Sequence, residues 1–197
     1  MTNCRVCNSE IEPFMTFGKM PIANGFLTPD QISSEYFFEL APAFCDECGM
    51  FQLIDQPAAK KMFHENYAFF SSTSKYMQTH FKAFADYVMT SRLSDTKDPF
   101  VVELGSNDGI MLRNFKNAGI RHLGIEPSEN VANIARGQGI ETLSEFFNLE
   151  LAKQLVKKNG HADVVLSANV MCHIPDINSI AEGIAHLLKD DGVLIFE

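Results

Sequence analysis

Phe100-Val101-Val102-Glu103-Leu104-Gly105-Ser106-Asn107-Asp108-Gly109-Ile110-Met111-Leu112 is the stretch that decides the fold. An apolar, β-branched run ends in an acid, passes through a glycine-spaced turn and enters a helix-like apolar pattern. That order predicts a strand, a tight loop and a helix N-terminus, with the glycines letting backbone N–H groups approach a ligand. A dinucleotide fingerprint would read G-x-G-x-x-G. Here three residues separate Gly105 from Gly109, and Glu103 precedes them. An acid at that place sits badly beside a pyrophosphate and well beside a cation, so the expected ligand is a sulfonium nucleoside. Seventeen residues after Gly109, a second apolar run, Leu123-Gly124-Ile125, ends in Glu126, whose carboxylate can hold both hydroxyls of a ribose.

Outward from this point, strands and helices alternate. Helices are expected over 108–118, over 128–136 with Ser128 as N-cap and Gly137 as stop, from Asn148 to about 158, and over 177–188. Strands are expected over 121–125, near 140–142, over 162–167 and, after an Asp191-Gly192 turn, over 193–196. Such alternation specifies an α/β fold with a parallel, Rossmann-like sheet wrapped by helices. Ligands of these sheets bind beyond the carboxyl ends of the strands. That rim collects Gly105, Ser106, Asn107, Gly109, Glu126, Pro127, Glu145, Phe146, Phe147, Asn169 and His173.

Upstream lies different chemistry. Cys4-Arg5-Val6-Cys7 and Cys45-Asp46-Glu47-Cys48 are separated by 37 residues, and together they can complete a tetrahedral zinc–sulfur set. Gly49 supplies the backbone freedom that such a knuckle turn needs. A redox dithiol would stand at a helix start within a βαβ unit, which neither pair does. With four protein ligands no coordination position stays open, so the zinc is expected to be structural. Aromatic, glycine and proline residues between the pairs indicate short strands and turns. Residues 36–41 and 50–54 are the expected paired strands around the metal. A module this small needs the metal to supplement its core.

Between the two parts, 58–64 reads as helix and 65–73 as an aromatic–serine loop. That loop has two readings: packing between modules, or a substrate-facing segment presenting Tyr67, Ser71 and Ser72. Over 74–93, Met77, His80/Phe81, Phe84 and Tyr87/Val88 recur at helical spacing, with His80 read as a core histidine. Residues 94–99 read as a linker. The expected domains are a zinc-binding module (1–56), a helical connector (57–97) and a Rossmann-like domain (98–197).

The chain has 197 residues, 46% of them hydrophobic and 21% charged, with a net charge of −9. This composition suits a globular protein and argues against nucleic acid as a partner. No apolar run approaches membrane-spanning length, and there is no charged-then-apolar leader, so no membrane partner and a cytoplasmic location are expected. Paired cysteines in a leaderless chain point to metal in preference to disulfides.

The pairing of the glycine loop and Glu103 with Glu126 resembles the S-adenosylmethionine (SAM) site of Rossmann-like methyltransferases. Asn169-Val170-Met171-Cys172-His173-Ile174-Pro175-Asp176 makes the likeness more specific. Together with the glycine loop, both cysteine pairs and Met20-Pro21-Ile22-Ala23-Asn24, it resembles the zinc-containing sugar C-methyltransferases. The resemblance implies methylation of the carbon beside the ketone of a nucleotide-linked 4-keto deoxysugar, through an enolate, with SAM as methyl donor. It places Tyr67 and His173 nearest the sugar. It also implies a chain that continues beyond a fifth strand into a region carrying the principal base. Residues 1–197 would then hold a sheet truncated after strand five, with an open strand edge through which copies could associate. Cys172 reads as a buried packing residue. The alternatives are a SAM-dependent methyltransferase of another small molecule or protein, and a non-catalytic zinc and SAM-fold interaction module.

Overall fold

The computed structural model describes residues 2–197 apart from Asn24, which therefore lies outside the described part of the Met20–Asn24 motif. The chain divides into two units, Met1–Phe63 with Pro175–Asn178, and His64–Ile174 with Ser179–Glu197. The boundary falls inside the expected 57–97 connector.

In the first unit, β1 (Thr2–Asn3) pairs antiparallel with β2 (Glu10–Ile11), β3 (Lys19–Pro21) with β4 (Phe37–Glu39), and β5 (Pro42–Phe44) with β6 (Phe51–Leu53). The two expected strands therefore exist but do not pair with each other. The tight turn at Cys45–Gly49 folds β6 back onto β5, its neighbour in sequence, and β4 is left to pair with β3. The unit ends in a one-turn helix, α1 (Ala59–Met62), shorter than the expected 58–64. Its buried apolar set is small, Cys4, Ile11, Ala43 and Cys45, with Met50 and Ile54 packed against it. So thin a core agrees with a fold that a metal must complete.

The second unit opens with α2 (Lys75–Arg92), capped by Ser74, whose hydroxyl accepts the Met77 N–H at 3.3 Å. There follow β7 (Phe100–Leu104), α3 (Leu112–Asn117), β8 (Arg121–Ile125), α4 (Glu129–Gly137), β9 (Thr142–Leu143), α5 (Leu149–Asn159), β10 (Ala162–Ser167), α6 (Ile177–Leu187) and β11 (Leu188–Phe196). The five strands form one parallel sheet in the order β11-β10-β7-β8-β9. The sheet order reverses beside β7, the place where open α/β sheets bind ligands.

β7 is buried along its whole length, and its alternation assigns side chains to two cores. Val101 packs with Phe81, Ala85 and Val88 of α2 and with Leu112 and Phe115 of α3. Phe100, Val102 and Leu104 pack with Ala152 and Leu155 of α5 and Ile180, Ile184 and Leu187 of α6. Glu103 falls on the Val101 side by the same alternation.

Local chemistry explains where the boundaries differ from expectation. Residues 107–111 are turns, so the helix expected from 108 starts at Leu112. Helix α4 continues through Gly137 and stops at Gly139, where φ is +74°. There the Ile140 N–H reaches back to Ala135 O at 3.1 Å and the Gly139 N–H to Arg136 O at 2.9 Å. Gly119-Ile120 closes α3 with the same pair of bonds, both being left-handed glycine caps followed by an apolar residue. Ser128 makes no side-chain cap bond. The third strand lies at 142–143, and β11 starts at Leu188 with an irregular register in place of the expected turn. On α2, His80 is exposed and edge-on to Phe81, and Tyr87 is exposed too. The buried stripe runs through Phe81, Ala85 and Val88, one position off the expected histidine. No helix among the described residues is long and apolar enough to cross a membrane.

Candidate functional site: a four-cysteine centre and an acidic cofactor rim

The two cysteine pairs sit on matching turns. The Cys4 N–H donates to Ser9 O and the Asn8 N–H to Cys4 O; the Cys45 N–H donates to Met50 O and the Gly49 N–H to Cys45 O. Asn8 and Gly49 take the same left-handed conformation, with φ of +64° and +75°. All four sulfurs lie within 4.8 Å of one another, with Cys4–Cys48 at 3.6 Å and Cys7–Cys45 at 3.5 Å. A tetrahedron with zinc–sulfur bonds of about 2.3 Å has edges of about 3.8 Å, so these residues fit zinc. Burial opposes ionisation of Cys4, but the N–H groups of Cys7 and Val6 and the Gln52 amide outweigh it and bring the thiol down to about 6. Gln52 Nε2 donates to Cys4 Sγ at 3.2 Å, a support that sequence reasoning missed.

In the second unit, Gly105–Gly109 forms the turn beyond β7. Its backbone is occupied: the Gly105 and Ser106 N–H groups donate to Ile125 O, Gly109 N–H to Ser106 O, and Asn107 N–H to Glu126 Oε2. Four of the loop's five N–H groups are thus engaged within the protein, three of them on Ile125 and Glu126 at the end of β8, so fewer face outward than the glycine spacing suggests. The glycines answer to other needs. Gly105 has φ of +66° and an added Cβ would overlap Val170 Cγ2; Gly109 has φ of +78° and an added Cβ would overlap Ile140 Cδ1. A loop with most of its amides engaged offers a pyrophosphate less than an open glycine loop would, whereas its acids remain.

Glu103, Asp108 and Glu126 are 3%, 0% and 5% exposed. Burial raises Glu103 well above the usual carboxylate range, and the charges of Glu126 and Asp108 add to it. Burial also raises Glu126, against the N–H groups of Ser128 (2.8 Å) and Asn107 (2.9 Å) that hold its two oxygens. Buried polar atoms without a protein hydrogen-bond partner gather in this region: Glu103 Oε2, Ser106 Oγ, Asp108 Oδ1, Ser128 Oγ, Asn130 Oδ1 and Ser167 Oγ. Such atoms are costly unless something pairs with them.

The other expected rim residues are spread unequally. Pro127 is half-buried between Glu126 and α4. Glu145 is exposed, Phe146 is half-buried, and Phe147 packs into the core against Gly183 of α6. Asn169 has φ of +56° and donates to Glu197 Oε1 at 3.0 Å. His173 ends a single tight turn, Met171–His173, with its side chain exposed. Cys172 is exposed as well, not buried, because its neighbours Met171 and Ile174 are the residues of this turn that pack on the core. Tyr67 is half-buried, and its phenol is raised by burial and by the Glu126 charge. Sequence reasoning did not single out Asp108; the signal available was its place in the loop two residues before a helix-like run.

A parallel sheet with a turn-braced acidic rim beside its switch point defines a nucleoside-cofactor α/β domain. The chain belongs to the methyltransferase domain family, which matches residues 75–197, and residues 4–63 match a zinc binding domain. It is similar to the C-methyltransferase NovU of Streptomyces niveus, with 30% identity over 98% of this chain and 46% of that protein. The ubiquinone biosynthesis O-methyltransferase of Bordetella avium (strain 197N) is 29% identical over 49% of this chain and 41% of its own. The chain thus spans about half the length of the curated relatives it matches. Among solved structures, the PH0226 protein of Pyrococcus horikoshii OT3 shares the fold, with a TM-score of 0.51 at 17% identity over 64% of this chain and 56% of that one.

SAM, the methyl donor of such domains, fits the rim. Its sulfonium and ammonium groups are cations that buried carboxyls can pair with, and Glu126 would be the residue to hold the two hydroxyls of its ribose. The hydroxyls of Ser106, Ser128 and Ser167, without a hydrogen-bond partner among the described residues, would be available for further polar contacts.

Proposed function

We propose that the protein is a SAM-dependent C-methyltransferase acting on the carbon beside the ketone of a nucleotide-linked 4-keto deoxysugar. The observation that carries this reading is the trio of buried carboxyls, Glu103, Asp108 and Glu126, gathered at the ends of β7 and β8 with no basic side chain bonded to them among the described residues. The likeness to a C-methyltransferase along nearly the whole chain supports carbon as the methylated atom.

When bound, SAM supplies an electrophilic methyl group. Glu126 keeps lone pairs beyond those held by Asn107 and Ser128, and directs them at the ribose hydroxyls. Glu103 and Asp108 face the cationic end, while Gly105, Ser106, Asn107 and Gly109 shape the floor. Pro127 and Phe146 flank the adenine, with Phe147 fixing their loop from the core; Glu145 and Asn169 border the opening. Tyr67, held neutral by burial and by Glu126, donates its phenolic hydrogen to the acceptor's oxygen, where enolate charge develops. His173 lies on the acceptor side and orients the same oxygen or the base that takes the α-proton. Holding acceptor carbon and methyl in line is the larger part of the catalysis. Zinc on Cys4, Cys7, Cys45 and Cys48 is structural. The reading includes a cytoplasmic location, where thiolates persist, the domain division at 56 and 97, and self-association along the β11 edge.

The test is incubation of the full-length protein with methyl-labelled SAM and a panel of dTDP-4-keto sugars, followed by NMR of the product. Label on the ring carbon next to the ketone is the expected result. Label on a hydroxyl or amine defeats the proposal.

A further inference from the structure

The 65–73 loop is tied to the cofactor rim by side chains that make no other side-chain hydrogen bond among the described residues. Asn107 Nδ2 donates to the Phe69 carbonyl at 3.1 Å, and Asn107 Oδ1 accepts the Ser71 N–H at 2.9 Å. Asp108 Oδ2 accepts both the Ser72 N–H at 3.0 Å and the Ser72 hydroxyl at 2.6 Å. From the first turn of α4, Asn130 Nδ2 donates to the Tyr67 carbonyl at 2.7 Å. Five bonds therefore join three rim residues to one short segment, and four of the five reach its backbone.

Ordinary loop packing does not account for this. Phe69 is 59% exposed, and Tyr67 and Phe70 are only half-buried, so burial of aromatics holds the segment weakly. It is anchored by a carboxylate that is 0% exposed and has two other acids for neighbours, a costly group to devote to an outer loop. The Ser72 hydroxyl is turned inward to Asp108 and is not offered to a substrate. Asn107 adopts φ of +49°, a left-handed conformation that lets its backbone bond Glu126 while its amide bonds the segment. One residue thus joins the ribose-binding acid to the loop bearing Tyr67.

We infer that Asn107, Asp108 and Asn130 are positioning residues that hold residues 67–73 as a strap on the cofactor loop and thereby fix where Tyr67 meets the acceptor. The role of Tyr67 rests on the proposed function; the strap itself does not. Cofactor loop and acceptor-side tyrosine then move as one body, so a shift of the 105–109 turn on cofactor binding is carried to the phenol.

Two mild variants release the strap without emptying the rim. Ser71→Pro deletes only the N–H that Asn107 receives; the position is the first of a tight helical turn, and Phe70 before it is extended (φ −115°, ψ 109°), as a residue preceding proline must be. Ser72→Ala deletes the hydroxyl on Asp108, and Ser72→Thr keeps it. Amide exchange of 67–73 in the protein without cofactor should accelerate about tenfold or more in the Ser71→Pro/Ser72→Ala double variant, the loss of two bonds worth about 1 kcal/mol each. Ser72→Thr should retain the original protection. The NMR titration of labelled Tyr67, assigned with Tyr67→Phe, should fall toward the ordinary tyrosine value of about 10 in the double variant. In turnover, kcat should drop at least tenfold with the KM for SAM within about threefold. Unchanged exchange and unchanged Tyr67 titration in the folded double variant overturn the strap. Both readouts precede any methyl transfer, so a wrong acceptor would leave them standing and would show only as absent turnover in the parent protein.

Discussion

Asn107 donates its backbone N–H to Glu126 Oε2 at 2.9 Å, making the turn after β7 and the acid after β8 one hydrogen-bonded unit. The bond spends an amide of the glycine loop on holding Glu126, the acid that the proposed function assigns to the cofactor's ribose. The same unit raises the question of what each of its unusual residues costs the empty protein.

Gly105→Ala should destabilise the second unit by about 1–3 kcal/mol, since it combines a left-handed backbone with overlap onto Val170. Urea unfolding measures the loss. Adding Val170→Ala should recover the part due to overlap and leave the backbone part. Strict additivity of the two single losses would show that the contact is irrelevant.

Stability of the protein without cofactor should fall as pH rises above about 4.3, the ordinary glutamate value. Folded Glu103 keeps its proton where the unfolded chain has lost it, so in this window the native state binds more protons and the slope of stability against pH is negative. Below the window both states are protonated and the contribution is complete; it is lost as pH climbs through the raised folded value. Glu126 acts in the same direction. Glu103→Gln should flatten the slope, stabilise the empty protein at neutral pH and weaken binding of a cationic ligand. Denaturant unfolding across a pH series checks this, and an unaltered slope in the variant would contradict it.

The cysteine centre should contain one zinc per chain, with sulfur at about 2.3 Å by X-ray absorption. Chelation or Cys45→Ser should expose 2–63 to rapid amide exchange while the parallel sheet keeps its protection, because the small core of Ile11 and Ala43 cannot stand without the metal. Metal-free protein with full protection of that unit would remove the metal's structural role.

The fold was legible where periodicity and punctuation agree. The largely apolar β7 and β10, the Asn148 cap and the two cysteine pairs with Gly49 after the second each follow from a residue type at a fixed spacing. Sequence is weaker where two residues can do one job. Gly137 and Gly139 are both plausible helix stops, and only the Ile140 contact selects the second. His80 and Phe81 are adjacent on one helical stripe, and a rotation of one residue decides which is buried. Partner choice among short strands was hidden because it depends on turn geometry, as β5 and β6 show. At the rim, Glu103 and Glu126 stood out by position, but Asp108 did not: its bonds to Ser72 cross 36 positions of sequence and leave no local pattern.

The central claim is that the acidic rim after β7 and β8 is a SAM site, and calorimetric titration of SAM into the zinc-loaded, full-length protein and its Glu126→Ala variant tests it most directly. The account predicts saturable binding at one site per chain, weakened in the variant by about 1.5–3 kcal/mol, the range for hydrogen bonds to a charged group. Equal affinity in the two proteins, or no binding by the folded parent, would contradict it.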